Sequence, residues 1–296
     1  MRLVILSRSR VLHSTRRLAE EARLLGVEAL VVNPLRCVLS AKRGDPSVFV
    51  NGKRLEGIDV VLPRIGTSIT EYGLLVVRHF EAMGVPVVNE SDAILNSRNK
   101  FRALQVCAGE GLDIPDSVLT RSLSDVPFGI RIIRSFPLVL KMLQGSQGIG
   151  VMVAHSRSSV ESILSTMLSL EKEVILQQFI REAAGCDIRA LVINGRAVAA
   201  MKRMARGGEF RANIHRGGKG MALRLPKRYE QVAVRAARAV GLDVAGVDIL
   251  ESDSGPKILE INSSPGFQEL ERATGENIAR EMVRMAMKKA RQGRRT

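Results

Sequence analysis

The stretch GVDILESDSGPKILEINSSPGF, residues 246–267, decides how this chain is read. Two runs rich in Val, Ile and Leu flank Ser252-Asp253-Ser254-Gly255, a cluster of turn formers, so the segment reads as a β-hairpin. With the turn centred near Ser254, Asp248 falls opposite Glu260. Strand side chains alternate with period two, so Glu260 and Asn262 share one face, and it is the face of Asp248. Two carboxylates and an amide oxygen are hard donors that suit Mg2+ or Mn2+ and leave coordination positions for phosphate oxygens. Without a cation the facing carboxylates would repel, and one would take up a proton. The competing reading is the solvated face of an edge hairpin. Against it, Asp and Glu are poor strand formers and stand here among Val, Ile and Leu.

Upstream, Lys141 ends an apolar strand, Leu138–Met142, and Gly145-Ser146-Gln147-Gly148-Ile149-Gly150 follows. Glycines let backbone N–H groups wrap phosphates. The pattern is neither the GxxxxGK[ST] loop nor GxGxxG after a first strand, and alone it reads equally as a plain turn. Lys100, at the start of a helix, joins this region only if the fold brings it there. A third group comprises Asp187, Arg189, Lys202, Arg203, Arg211, Ala212 and Asn213. Its cations could neutralise a triphosphate or hold a substrate carboxylate; singly, each reads as a surface charge.

The rest of the chain supplies a frame. Leu3–Leu6, a helix over 14–25 and Glu28–Val32 form a βαβ unit. Val48–Val50 and Lys53–Leu55 form a hairpin around Asn51-Gly52. Ile58–Pro63 and Pro86–Val88 read as strands, with a helix between them opened by a Ser68/Glu71 capping box. Residues 1–96 are therefore expected to be a small α/β domain with a parallel sheet. Beyond it come helices from Ser97 to Gly109, one capped by Ser158 and Glu161, and others near 227–240 and 274–290. Strands alternate with them.

With 296 residues, 45% hydrophobic and 25% charged, the composition is that of a globular protein. No apolar run spans a membrane and no targeting segment opens the chain, so a cytoplasmic protein is expected. Cys37, Cys107 and Cys186 are odd in number and widely spaced, which excludes a disulfide framework and points to buried thiols. The net charge of +15 favours anionic partners, and a basic tail runs through Arg284, Lys288, Lys289, Arg291, Arg294 and Arg295. Cations also suit a helix C-terminus, so the tail reads equally as a solvated helix end. Aromatic content of 3%, with no Trp, argues against a base-stacking surface and against sequence-specific nucleic-acid binding.

The order of these elements resembles the ATP-grasp superfamily. KFRALQ (100–105), PLVLKMLQGSQGIGV (137–151), AAGCDIRALVINGRAVAAMKR (183–203), EFRANIHRGG (209–218) and the final D…E-x-N closely resemble its RimK family. That family adds glutamate to the C-terminus of a small-subunit ribosomal protein, S six, or makes poly-α-glutamate. The resemblance implies an α/β (α+β) ATP-grasp architecture: residues 1–96 a pre-ATP-grasp domain, and 97–296 a two-lobed domain with the nucleotide between its lobes. In it, 97–180 is a central lobe with a glycine-rich lid and 181–296 a metal-binding lobe. It further implies that Lys100 and Lys141 contact ATP, that Gly145, Ser146, Gln147 and Gly148 close over the phosphates, and that Gln178, Phe179 and Ile180 line the adenine. Asp187 would hold the ribose, and Arg211, Ala212 and Asn213 would contact nucleotide phosphate. Arg189, Arg203 and Asn213 would face substrate, with Arg203 and Lys141 in catalytic roles. Asp248, Glu260 and Asn262 would hold two Mg2+ or Mn2+ ions. The implied partners are L-glutamate and a protein or peptide C-terminal carboxylate, in a homotetramer with no membrane association. Gln178 departs from the Glu found in many ATP-grasp proteins, but a backbone contact to adenine survives that change.

The resulting expectation is an ATP-dependent carboxylate–amine ligase, in which the carboxylate becomes an acyl phosphate that an amine attacks. Two other readings stay open: a ligase of the same superfamily acting on another amino acid, peptide or carrier protein, and a basic RNA- or ribosome-binding protein with a vestigial ATP site.

Overall fold

The computed structural model describes residues 1–143, 150–169, 173–206 and 218–293. The N-terminal region comprises β1 (Arg2–Leu6), α1 (His13–Leu24), β2 (Glu28–Val32), β3 (Cys37–Lys42), β4 (Asp45–Val50), β5 (Lys53–Arg54), β6 (Val60–Pro63) and α2 (Thr70–Ala82). Strands β2, β1 and β6 form a parallel sheet in that order, as the continuous apolar run of each strand demands. A separate antiparallel sheet, β3-β4-β5, contains the expected Asn-Gly hairpin and one strand that the sequence did not reveal. Pro86–Val88 contributes only an isolated bridge, Val61 to Val87. The Ser68/Glu71 box does not form: Thr67–Ile69 is a 3-10 turn, and α2 has no side-chain cap.

Next come α3 (Ser91–Arg98) and α4 (Lys100–Gly109), where one helix from Ser97 was expected. Asn99 divides them, its extended backbone ending α3 while its Oδ1 caps α4 by accepting from Arg102 N at 2.9 Å. The central lobe is built from β7 (Ser117–Thr120), α5 (Val126–Ile133), β8 (Leu138–Met142), β9 (Val151–Ala154), α6 (Arg157–Ser169) and β10 (Val174–Gln178). Its antiparallel sheet runs β7-β10-β8-β9. At the start of α6, Ser156 and Ser159 exchange hydrogen bonds, whereas Glu161 pairs with Arg157 one turn back.

The C-terminal lobe holds β11 (Cys186–Ile193), β12 (Arg196–Met204), β13 (Lys219–Ala222), α7 (Lys227–Val240), β14 (Val244–Leu250), β15 (Lys257–Asn262), α8 (Gln268–Thr274) and α9 (Ile278–Gly293). Its five-stranded sheet runs β13-β12-β11-β14-β15. Among the described residues, no helix is long and apolar enough to cross a membrane.

Two cores matter for the site. One joins Leu3, Ile5 and Leu62 of the N-terminal sheet to Leu191, Phe267 and the apolar face of α9, fusing the N-terminal region to the C-terminal lobe. The central lobe packs on its own cluster around Leu138, Leu140, Leu164 and Leu176. The basic helix α9 is partly spent on this fusion: Lys289 pairs with Asp243 at 2.6 Å and with Glu90 at 3.0 Å. Cys37 and Cys107 are buried, as expected, and burial pushes both thiols up to about 11, whereas Cys186, also expected to be buried, is only half-buried and lines the cleft described below.

The seam is pinned by Asn89, which is buried. Its Nδ2 donates to Val244 O at 2.7 Å and Ser263 O at 3.0 Å, and its Oδ1 accepts from Val244 N at 2.8 Å. Asn89 thus ties the start of β14 to the residue just after β15. Asn89→Ala strands three buried backbone groups and should cost about 2–4 kcal/mol of stability. Chemical denaturation of the variant checks this, and a midpoint equal to wild type would contradict it.

Candidate active site

The C-terminal hairpin has the register that its sequence dictates. Asp248 lies opposite Glu260 and Gly246 opposite Asn262, with a bulge just after Asp248. Gly246 is needed for close approach: a Cβ there would stand 2.7 Å from Pro265 Cβ. The same face continues across the sheet. Asp187 and Arg189 are two residues apart on β11, so they point the same way. Arg203 on β12 lies opposite Asp187, and Asp248 on β14 lies opposite Arg189.

This register produces a buried chain of alternating charge. Arg203 donates from Nε and Nη2 to the two oxygens of Asp187, both at 2.6 Å, and its Nη2 also reaches Asp248 Oδ2 at 2.9 Å. Arg189 clamps Asp248 from the other side, through Nε and through Nη2 to Oδ2 at 2.7 Å. Burial acts to raise the Asp248 carboxyl, but two guanidiniums outweigh it and hold Asp248 below the ordinary range. Burial also acts on Asp187, which has one close arginine and the like charge of Asp248, and its carboxyl is raised. The two carboxylates hold Arg203 fully charged against its burial. A carboxylate offers about four lone-pair positions, so Asp187 and Asp248 both retain acceptor capacity toward the cleft.

Glu260 and Asn262 differ from Asp248 in having no side-chain hydrogen bond or ion pair with a described residue. Their oxygens, beside that of Asp248, form a donor set that fits a hard divalent cation. No cluster of three or more His, Cys, Asp or Glu side chains able to hold a metal occurs among the described residues, and in this set one of the three donors is an amide.

Opposite the hairpin, Lys141 on β8 donates to Gln177 Oε1 at 2.5 Å, and Gln177 Nε2 donates to Ser117 Oγ at 2.8 Å. Burial at the bottom of the cleft pushes Lys141 down to about 8; Glu260 opposes the shift and Lys100 adds to it. Gln178 N donates to Asp116 O at 2.8 Å, fixing the strand end that leads into Phe179 and Ile180.

All these residues line one cleft of about 890 Å3 between the lobes: Lys100, Lys141, Gln178, Phe179, Ile180, Asp187, Arg189, Arg203, Asp248, Glu260 and Asn262. Gly145, Ser146, Gln147, Gly148, Arg211, Ala212 and Asn213 lie outside the described residues. The cleft also draws on the N-terminal region, through Ser7, His13 and Arg64, and on Arg98 at the end of α3, none of which the sequence reading included. One signal was available. Ser7 and Arg64 directly follow β1 and β6, and ligands of parallel α/β sheets gather at the carboxyl ends of strands.

The arrangement has known relatives. A RimK-like ATP-grasp domain matches residues 97–286, and a RimK pre-ATP-grasp domain matches residues 1–94. A probable alpha-L-glutamate ligase of Alcanivorax borkumensis is 47% identical over 98% of this chain and 96% of its own length. One of Syntrophotalea carbinolica is 44% identical over 99% and 98%. Among solved structures, the ATP-grasp ligase PsnB complexed with a minimal precursor superposes with a TM-score of 0.77 at 21% identity, over 97% of this chain and 98% of that one. A RimK domain ATP-grasp protein of Sphaerobacter thermophilus gives 0.76 at 21% identity, over 97% and 100%. Fold and matches together define an ATP-dependent ligase of the ATP-grasp class. Within that class, the chain belongs to the RimK-like family.

If Lys141 meets a nucleotide phosphate, its depressed pKa predicts a pH-dependent nucleotide affinity. Below about pH 8 the ammonium is already formed and its contribution to binding a phosphate is constant. Above that, binding must take up a proton, so affinity falls with rising pH by at most about tenfold per unit. Calorimetric titration with a non-hydrolysable ATP analogue, in buffers of differing ionisation enthalpy, reads this proton uptake. Lys141→Arg should abolish the slope, and a flat wild-type profile across that range would contradict the assignment.

Proposed function

We propose that the protein joins the amine of L-glutamate to a C-terminal carboxylate at the expense of ATP, through an acyl phosphate. The acceptor is the C-terminus of a small-subunit ribosomal protein, a growing poly-α-glutamate chain, or both. The reading extends to a cytoplasmic homotetramer whose pre-ATP-grasp domain, 1–96, precedes the ligase domain, 97–296. The observation that carries it is the convergence of Asp248, Glu260 and Asn262 on one face of the cleft, across from Lys141 and Lys100. The names of the relatives support glutamate as the amine. Solved neighbours complexed with precursor peptides support a peptide acceptor.

A carboxylate is a poor electrophile, and its activation defines the chemistry. An acceptor oxygen attacks the γ-phosphorus of ATP; the bond to the β,γ-bridging oxygen breaks, giving the acyl phosphate and ADP. The glutamate nitrogen, having lost its proton, then attacks the acyl carbon. The amide forms as phosphate leaves with the electron pair of the broken C–O bond. Asp248, Glu260 and Asn262 would hold two Mg2+ or Mn2+ ions. Such ions neutralise charge on the transferring phosphoryl group. Arg203, held rigid by Asp187 and Asp248, presents a fixed cation to that charge at no cost of reorganisation. Lys141 and Lys100 offset the triphosphate, Phe179 and Ile180 border the base, and Asp187 keeps acceptor capacity for a ribose hydroxyl. Arg189 orients Asp248 through its two-point clamp.

Incubation with ATP, Mg2+ and glutamate should yield ADP and a product ladder spaced by one glutamyl residue, read by mass spectrometry. Glu260→Gln should slow ADP release about a thousandfold or more with the fold intact. Near-normal ligation by that variant would overturn the metal assignment. A ladder built from a different amino acid would favour the related ligase reading instead.

A further inference from the structure

Arginines in this cleft fall into two groups. Arg189 and Arg203 are neutralised in place by Asp248 and Asp187. Arg64 and Arg98 have no carboxylate partner among the described residues. Arg64 donates from Nη2 to the carbonyl of Pro265 at 2.6 Å, and its guanidinium stands 5.7 Å from the centre of the Phe267 ring. Arg98 donates to Thr67 Oγ1 at 3.3 Å and to the carbonyl of Ile65. Both Nε atoms are buried without any hydrogen bond, as are Ser264 Oγ and His13 Nδ1, which line the same cleft. Unsatisfied buried polar atoms are rare in folded proteins, and four among the residues lining one cleft, two of them guanidinium donors, point to an absent polar ligand. The two guanidiniums also lie close enough to repel each other, and Arg98 close enough to Glu260 to be attracted by it. Arg64, Arg98 and Glu260 thus line the same cleft within electrostatic range of one another.

We infer that Arg64 and Arg98 recognise the two carboxylates of the incoming dicarboxylic amino acid, an inference that rests on the ligase reading above. The acceptor carboxylate is the weaker occupant. It must lie against the γ-phosphate, and it loses its own charge when phosphorylated. The incoming amino acid keeps both carboxylates ionised through both chemical steps, matching two fixed cations that need lasting neutralisation. Guanidinium forks bind carboxylates in two-point geometry, so a pair of arginines suits a pair of carboxylates. A neutral analogue such as glutamine leaves one guanidinium buried without an anion, which is how a polar site rejects a near-isostere.

The test compares wild type with Arg64→Gln and Arg98→Gln, and with the Lys variants in case a Gln variant fails to fold. The acceptor is a short synthetic peptide ending in Glu-Glu. KM is measured separately for glutamate, ATP and peptide, together with the preference for glutamate over glutamine. The inference predicts a glutamate KM raised about 10- to 100-fold in each Gln variant, with smaller increases for Lys. ATP and peptide KM should stay within about twofold, and the preference for glutamate should shrink with the glutamate affinity. An unchanged glutamate KM in both variants overturns the inference, as does a loss confined to peptide KM or shared equally with ATP. Wild type failing to ligate glutamate at all overturns the ligase reading and the inference with it. Wild-type ligation with insensitive variants overturns the inference alone.

Discussion

Strand register on one face of the five-stranded sheet is the constraint from which the site follows. Because β11, β12, β14 and β15 pair as they do, Arg203 with Asp187 and Arg189 with Asp248 and Glu260 form two adjacent rows on one face. A slip of one residue in any pairing would turn that strand's charged side chains into the core below. The apolar residues that alternate with them, Ile188, Val247 and Ile261, are buried on the opposite face and hold the register in place. The hydrophobic effect thus positions the charges of the cleft, and the charges need supply little of the stability.

That division of labour explains what could be read in advance. Alternation and a turn cluster are local signals, and they located the Asp248/Glu260/Asn262 face. Local signals failed where a single residue overrode a longer pattern. Asn99 makes the helix expected from Ser97 begin at Lys100, because its side chain caps that helix, and the separate α3 before it went unread. The short helices α5 and α8 escaped notice: α5 carries Pro127 and Gly129 within eight residues, and α8 has seven residues in all. The contribution of the N-terminal region was harder still. Arg64 and its acceptor Pro265 are separated by 201 positions, and no spacing rule connects them. Only the general habit of parallel sheets, ligands at the carboxyl ends of strands, pointed there.

The cations of the cleft are of two kinds. Some are neutralised within the protein: Arg203 and Arg189 sit against Asp187 and Asp248, rigid and pre-arranged. Arg64 and Arg98 are held by neutral carbonyls and a hydroxyl, which orient them without cancelling their charge. Neutralised arginines suit a transition state whose added charge appears only briefly. Uncancelled ones suit a ligand that arrives already anionic. Much of the net charge of +15 lies elsewhere, and part of it is structural, as Lys289 shows in docking α9 onto Asp243 and Glu90.

The most direct test of the central claim is a crystal structure grown with Mn2+ and a non-hydrolysable ATP analogue, with anomalous scattering to locate the metal. The account predicts manganese within about 2.1 to 2.3 Å of oxygens from Asp248, Glu260 and Asn262, beside phosphate oxygens and facing Lys141. Manganese bound elsewhere, or nucleotide bound in the cleft with those three side chains uncoordinated, would contradict it.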